Sequence, residues 1–173
     1  MRIRATGPLA ASYPAAVVLV ILALTPYLML TTAMQPLERL IGDDLGMSRA
    51  ALQLTAAMAN AAYAAGTVIA VQLASRLPPR RLLVLYAAAF VVGSVLAAWA
   101  PLPGLFVAGR VLQGLTTGLM LIAAVPPLVL SWGPDKLPRT AVIMNIGIFG
   151  AVALGPVIGG SSAGTGTWAP LLW

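Results

Sequence analysis

The feature that most constrains this chain is Leu105–Leu130, LFVAGRVLQGLTTGLMLIAAVPPLVL, 26 residues carrying a single charge, Arg110. At roughly 1.5 Å of rise per residue, such a helix is long enough to cross a bilayer core of about 30 Å. A lone arginine there costs at least about 2.5–3.5 kcal/mol on insertion scales, so it should face protein or water rather than lipid. Four further apolar stretches accompany it, at about Ala15–Gln35, Ala50–Leu73, Leu82–Ala100 and Ala141–Gly160. The expected fold is all-α and integral to a lipid bilayer: a bundle of five complete transmembrane helices, with a sixth beginning near Ala169.

Composition closes off the alternatives. The chain is 60% hydrophobic and 8% charged, with a mean hydropathy of +0.96, whereas a soluble domain carries about 25% charged residues. It has no cysteine and no histidine, which excludes disulfides, thiol chemistry and the usual zinc sites. No phosphate-cradling glycine loop and no acidic pair at metal spacing appears, so neither an enzyme, a cofactor nor a metal is expected. The net charge of +6 is scattered between apolar spans and forms no basic face, which argues for topology-setting loop charge and against a nucleic-acid partner.

Residues 1–14 contain Arg2, Arg4, Pro8 and Pro14 and read as a cytoplasmic N-terminus, with helix setting in near Ala15. A signal peptide competes for this region, but the apolar stretch exceeds the roughly 7–15 residues of a signal core, and four spans follow. Pro26 is expected to kink the first span. In the second, Ala62, Gly66, Ala70 and Ala74 recur every fourth residue, the pattern of a helix packed closely inside a bundle. Trp99 marks an interface. Ser161–Thr167 reads as a polar loop. Arg2, Arg4, Arg76, Arg80, Arg81, Lys136 and Arg139 fall on one side of the membrane, whereas Arg39 and Arg49 fall on the other beside Glu38, Asp43 and Asp44. The positive-inside rule then puts the N-terminus in the cytoplasm of a cell-membrane protein.

In the fourth span, Arg110, Gln113, Gly114, Thr117 and Leu121 share one helical face. An arginine, an amide and a hydroxyl in one stripe suit the wall of a water-lined cavity. Alternatively, Arg110 lies near enough to a helix end to snorkel to the interface. In the fifth span, Gly147, Ala151, Gly155 and Gly159 recur by four, with Pro156 and Gly160 beside them. Such a groove, with its proline bend, suits a moving gate or simple tight packing. The loop SRLPPRR, with Arg76, Arg80 and Arg81, is either part of a cytoplasmic gate or topogenic charge.

Taken in order, these segments resemble the major facilitator superfamily. RVLQG in a fourth span resembles that family's arginine-bearing motif. LGPVIGG, Leu154–Gly160, resembles the span-five motif of its drug/proton antiporter branch. LASRLPPRRLLVL, Leu73–Leu85, takes the place of the loop between spans two and three, and DDLGMS, Asp43–Ser48, resembles the opening of span two in fourteen-span drug transporters. The resemblance implies transport of small molecules by alternating access, as in multidrug efflux, with proton as a coupling ion. It implies a substrate cavity lined by Arg110, Gln113, Thr117, Asn60 and Gln35, and a gate at Gly155–Pro156.

The departures bear on coupling. Where the family loop has glycine, aspartate and glycine, this chain has Val71, Ser75 and Pro78, and Leu30 stands where many relatives carry an aspartate. None of the five spans contains Asp, Glu or His, although proton coupling needs a group that titrates within the membrane. Arg110 is therefore expected to find a carbonyl, an amide such as Gln35 or Asn60, a substrate, or a group of a missing C-terminal half. Superfamily transporters pair two six-helix halves, so the chain reads as an N-terminal part, with Trp168–Trp173 resembling the approach to a sixth span. A non-transporting membrane scaffold is the alternative.

Overall fold

The computed structural model describes residues 12–172, without residues 75, 77, 132 and 133 and without the side chains of residues 79, 80, 127, 129–131 and 134. The expectations placed on Arg2 and Arg4 lie outside the described residues. All regular structure among the described residues is helical.

Helix α1 (Tyr13–Ala33) starts where the Ser12 side chain accepts the Ala15 N–H at 3.3 Å. Pro14, expected to delay the helix, instead occupies its first turn, where a missing N–H costs nothing. The helix also ends earlier than the expected Gln35. Residues Gln35–Leu37 form a 3-10 turn around Pro36, which cannot continue an α-helical ladder.

The first connection then forms a short helix, α2 (Glu38–Leu45). It buries Ile41, next to Leu37 of the preceding turn, and leaves Arg39, Asp43 and Asp44 exposed, a small amphipathic element lying across the end of the bundle. Gly46 stops it in the left-handed region, at φ 63°, which only glycine adopts cheaply.

Helix α3 (Arg49–Ala74) follows, with the Ser48 hydroxyl accepting the Ala51 N–H. Helix α4 (Pro79–Ala98) starts three residues before the expected Leu82. Pro78 is held extended and Pro79 takes the first helical position, so the prolines themselves set the boundary. Arg80 and Arg81 thus belong to the first turn of a helix and not to a loop. Helix α5 (Pro103–Ser131) and helix α6 (Leu137–Thr165) complete the set. The loop expected over Ser161–Thr167 is helix as far as Thr165, ending at Gly166 with φ 71°. The Ser161 and Thr165 hydroxyls there donate to the Ile158 and Ser162 carbonyls.

Five helices, α1, α3, α4, α5 and α6, are long and apolar enough to cross a membrane. Helix α5 is the hub: α3 and α4 pack along it, α1 covers a third side, and α6 packs on α1. Hence α5 buries residues around most of its circumference, while α6 turns Val142, Ile146, Phe149 and Val157 outward. In lipid, apolar helices gain little from merely meeting one another, so close backbone approach has to hold them. Two interfaces show it. A Cβ on Gly66, Gly114 or Gly118 would collide with backbone across α3 and α5, and a Cβ on Gly155 or Gly159 would collide with α1. Of the expected stripe in α3, Gly66 and Ala70 are buried, Ala62 is half-buried and Ala74 is exposed.

Near Ala169, where a sixth span was expected, the described residues form a 3-10 turn, Ala169–Leu172, containing Pro170. Trp168 anchors it. The indole packs edge-on against Phe106 with ring centroids 5.7 Å apart, and its N–H donates to Asp44 Oδ2 at 3.0 Å. This ties the turn to α2 and caps the cluster of Leu37, Ile41, Leu52 and Phe106. Trp168→Phe keeps the ring packing and loses the bond, so it is expected to cost about 1 kcal/mol in an unfolding titration. Asp44→Asn combined with it is expected to add almost nothing.

Candidate functional site: an arginine at the floor of a polar cavity

Arg110 is 3% exposed and Gln113 is wholly buried, both in the second and third turns of α5. Their spacing of three places them on one face, and the Arg110 Nη1 donates to Gln113 Oε1 at 2.7 Å. This is a charge-assisted bond. The other end of the Gln113 amide donates to Ser94 Oγ of α4 at 2.8 Å. Arg110 Nη2 reaches Thr31 Oγ1 of α1 at 3.4 Å, and Thr31 itself donates to the Tyr27 carbonyl at 2.8 Å. A polar chain, Ser94–Gln113–Arg110–Thr31, therefore crosses the bundle from α4 through α5 to α1.

Tyr27 completes the setting. Its ring lies 5.8 Å from the guanidinium carbon, within cation–π reach. Its hydroxyl donates to Asn60 Oδ1 of α3 at 3.2 Å, and its ring stacks on Tyr63 with centroids 6.1 Å apart. Every partner of Arg110 among the described residues is thus neutral. The guanidinium does not snorkel; it is held inside the bundle.

Above it lies a cavity of about 370 Å³ between α1, α2, α3 and the start of α5. Arg110, Thr31, Gln35, Gln53, Asn60 and Glu38 supply its polar wall, and Phe106, Leu52 and Ile41 much of the apolar one. Three residues expected to line a cavity, Arg110, Asn60 and Gln35, meet here. Gln113 and Thr117 do not. Gln113 is committed to Arg110 and Ser94, and the buried Thr117 hydroxyl donates to the Gln113 carbonyl at 2.8 Å. Gly114, between them, packs on Ala59. The stripe is a packing face with a cavity only at its Arg110 end: Gly114 meets α3, Gln113 bonds to α4 and Leu121 joins a cluster with α1. The partner of Arg110 is an amide, one of the expected kinds, but it is Gln113, three residues along the same helix, and neither Gln35 nor Asn60.

The sequence did not place Thr31, Tyr27, Ser94, Gln53 or Glu38 at this site. A signal existed for two of them: Tyr27 and Thr31 lie four apart in an otherwise largely aliphatic span. Ser94 also lines a second, mostly apolar cavity of about 330 Å³ between α1, α4 and α6. The Ser94–Gln113–Arg110 chain links the polar cavity to the apolar one.

The remaining candidates lie elsewhere. Gly147 packs on Ile21, and Ala151, Gly155 and Gly159 continue that row along α1. Gly160 meets nothing within 4 Å, and Pro156 is exposed on the far side. Helix α6 runs unbroken through Pro156. Arg76 and Arg81 are exposed, and the Arg80 side chain lies outside the described part.

In sequence, residues 10–173 match the Major Facilitator Superfamily. A curated relative, the uncharacterized MFS-type transporter YubD of Bacillus subtilis (strain 168), is 29% identical over 150 residues, which cover 87% of this chain and 29% of YubD. The chain therefore spans less than a third of the length of that relative. No solved structure matches it. With the family match running over nearly the whole sequence, and five helices apolar enough to cross a membrane, the chain belongs to the Major Facilitator Superfamily.

Proposed function

We propose that the chain is the N-terminal part of a secondary transporter that moves small molecules across the cytoplasmic membrane by alternating access, in the manner of a drug or metabolite exporter of the drug/proton antiporter branch. The observation that carries the reading is Arg110. An arginine buried in an apolar bundle, with neutral partners only, is expensive to maintain and stands at the floor of a cavity of about 370 Å³, a size that suits a small organic solute. A static bundle gains nothing from such a charge.

In this reading a second helical bundle closes the far wall of the cavity, consistent with the short share of YubD that the chain covers. The N-terminus is cytoplasmic, and the cavity opens toward the outer side. The Gly155–Pro156 region of α6 slides against α1 as the cavity closes, while Arg76, Arg80 and Arg81 stand at the cytoplasmic end. Proton coupling then rests on an acid of the second bundle, or on Glu38 at the cavity wall. Family membership points to a transporter rather than an enzyme.

The test is flux. In the transporter at the full length of its relative, Arg110→Ala is expected to lower efflux of a fluorescent amphipathic dye at least tenfold at unchanged expression. Reduced expression with unchanged flux per molecule would make Arg110 a purely structural residue and defeat this reading of the site, and no dye flux from the unaltered protein would support a scaffold.

A further inference from the structure

Resting on the transport reading above, we infer that the cavity takes organic anions: a small apolar body carrying a carboxylate or similar oxyanion that pairs with Arg110. The argument begins with unused bonding capacity. A guanidinium offers five N–H donors in a planar fork. Arg110 makes two hydrogen bonds among the described residues, one of them long at 3.4 Å, and both go to neutral oxygens. The charge itself is unanswered, because no carboxylate lies within pairing distance of Arg110 among the described residues. A buried charge lacking its counter-ion is the costly half of an ion pair, and an arriving oxyanion would complete it.

The walls agree with such an occupant. Asn60, Gln35 and Gln53 bring amide donors to the same cavity, while Phe106, Leu52 and Met34 offer apolar surface to the rest of the solute. Asn60 already accepts from Tyr27 through its oxygen, so its NH₂ remains a donor for the cavity. Glu38 is the one acid among the lining residues. It stands at the start of α2 while Arg110 stands on α5, so attraction to Arg110 and repulsion from Glu38 set the anionic end of a ligand at Arg110 and turn it away from Glu38. The ligand therefore has a direction: oxyanion inward, body toward α2.

The experiment measures binding in detergent, where no flux is needed, using naphthalene-2-carboxylate and its neutral counterpart naphthalene-2-carboxamide in isothermal titration calorimetry. The carboxylate is expected to bind at least tenfold more tightly than the amide, and Arg110→Gln to abolish the difference. Should Arg110→Gln fail to fold, Ala57→Trp serves: Ala57 is exposed on α3 and lines the cavity, so the indole is expected to fill the space and remove carboxylate binding from an intact bundle. Equal binding of the two probes, or a carboxylate preference untouched by either variant, would overturn the inference. Loss of carboxylate binding on moving from neutral lipid to phosphatidylglycerol nanodiscs would assign Arg110 to a lipid headgroup and overturn it too. Carboxylate binding without dye flux would leave the anion site standing and sink the transport reading; dye flux without carboxylate binding would do the opposite.

Discussion

Gly114→Val is expected to separate α3 from α5 and to lower stability by about 3 kcal/mol or more. The position has no room for a side chain, because a Cβ there would collide with the Ala59 carbonyl group and lie 3.2 Å from the Ala59 Cα. These are backbone atoms, and a helix backbone retreats only as a whole. Gly118, one turn on, meets the Tyr63 carbonyl in the same way, and Gly66 returns the contact onto Leu115. Parting the helices at Gly114 therefore loosens contacts along the whole interface. In lipid no hydrophobic gain opposes the separation, since released apolar side chains simply meet acyl chains. The comparison is Gly150→Ala in α6, which meets nothing within 4 Å. It is expected to stabilise by about 0.5–1 kcal/mol through helix propensity alone. Unfolding titrations of both variants in mixed micelles read the contrast, and equal losses would contradict the close-approach account.

Gln113→Leu is expected to cost about 3 kcal/mol, more than its own lost hydrogen bonds would suggest. Its amide is wholly buried and works from both ends, accepting from Arg110 and donating to Ser94. Leucine fills the volume but leaves a buried cation without its shortest bond. The companion variant separates that penalty from packing. Arg110→Met with Gln113→Leu removes both partners together, and the double variant is expected to recover most of the loss, since a buried polar pair replaced by apolar groups of similar shape is often near neutral. A double-mutant cycle should give a coupling of about 2 kcal/mol. Simple additivity would mean that the two side chains do not depend on each other.

Much of the fold was legible because lipid imposes a simple requirement on sequence. Apolar runs of about twenty residues read directly as membrane helices, and five of them exist in the structure. Boundaries were less legible. Pro14, Pro79 and Pro138 look like breaks in a chain read left to right, yet each sits in a first helical turn. The polar stretch after Gly160 looks like loop because its residues have low helix propensity, but the ladder that begins earlier in α6 carries on through it.

The candidate site divides in the same manner. Arg110 stood out because one charge in an apolar run is unmistakable. Asn60 and Gln35 were found as the polar residues of their segments. Gln113 and Thr117 were assigned to the same cavity because they share a face with Arg110, and a helical face says nothing about which neighbour covers it. Helix α3 meets that face at Gly114, and α4 takes up Gln113 through Ser94. Glu38 and Gln53 reach the cavity from separate elements that only the turn at Gln35–Leu37 and the α2 helix bring together.

By itself, then, the sequence determined that this chain is a membrane bundle with an embedded arginine and no embedded acid, because charge and hydropathy are properties of single residues and runs. The tertiary structure decided what that arginine touches. Its bond to Gln113 lies within α5, but its reach to Thr31 depends on the distance between α5 and α1, and the hold of Ser94 on Gln113 depends on that between α5 and α4. Partnership between helices is a matter of a few ångströms, and no single helix encodes it.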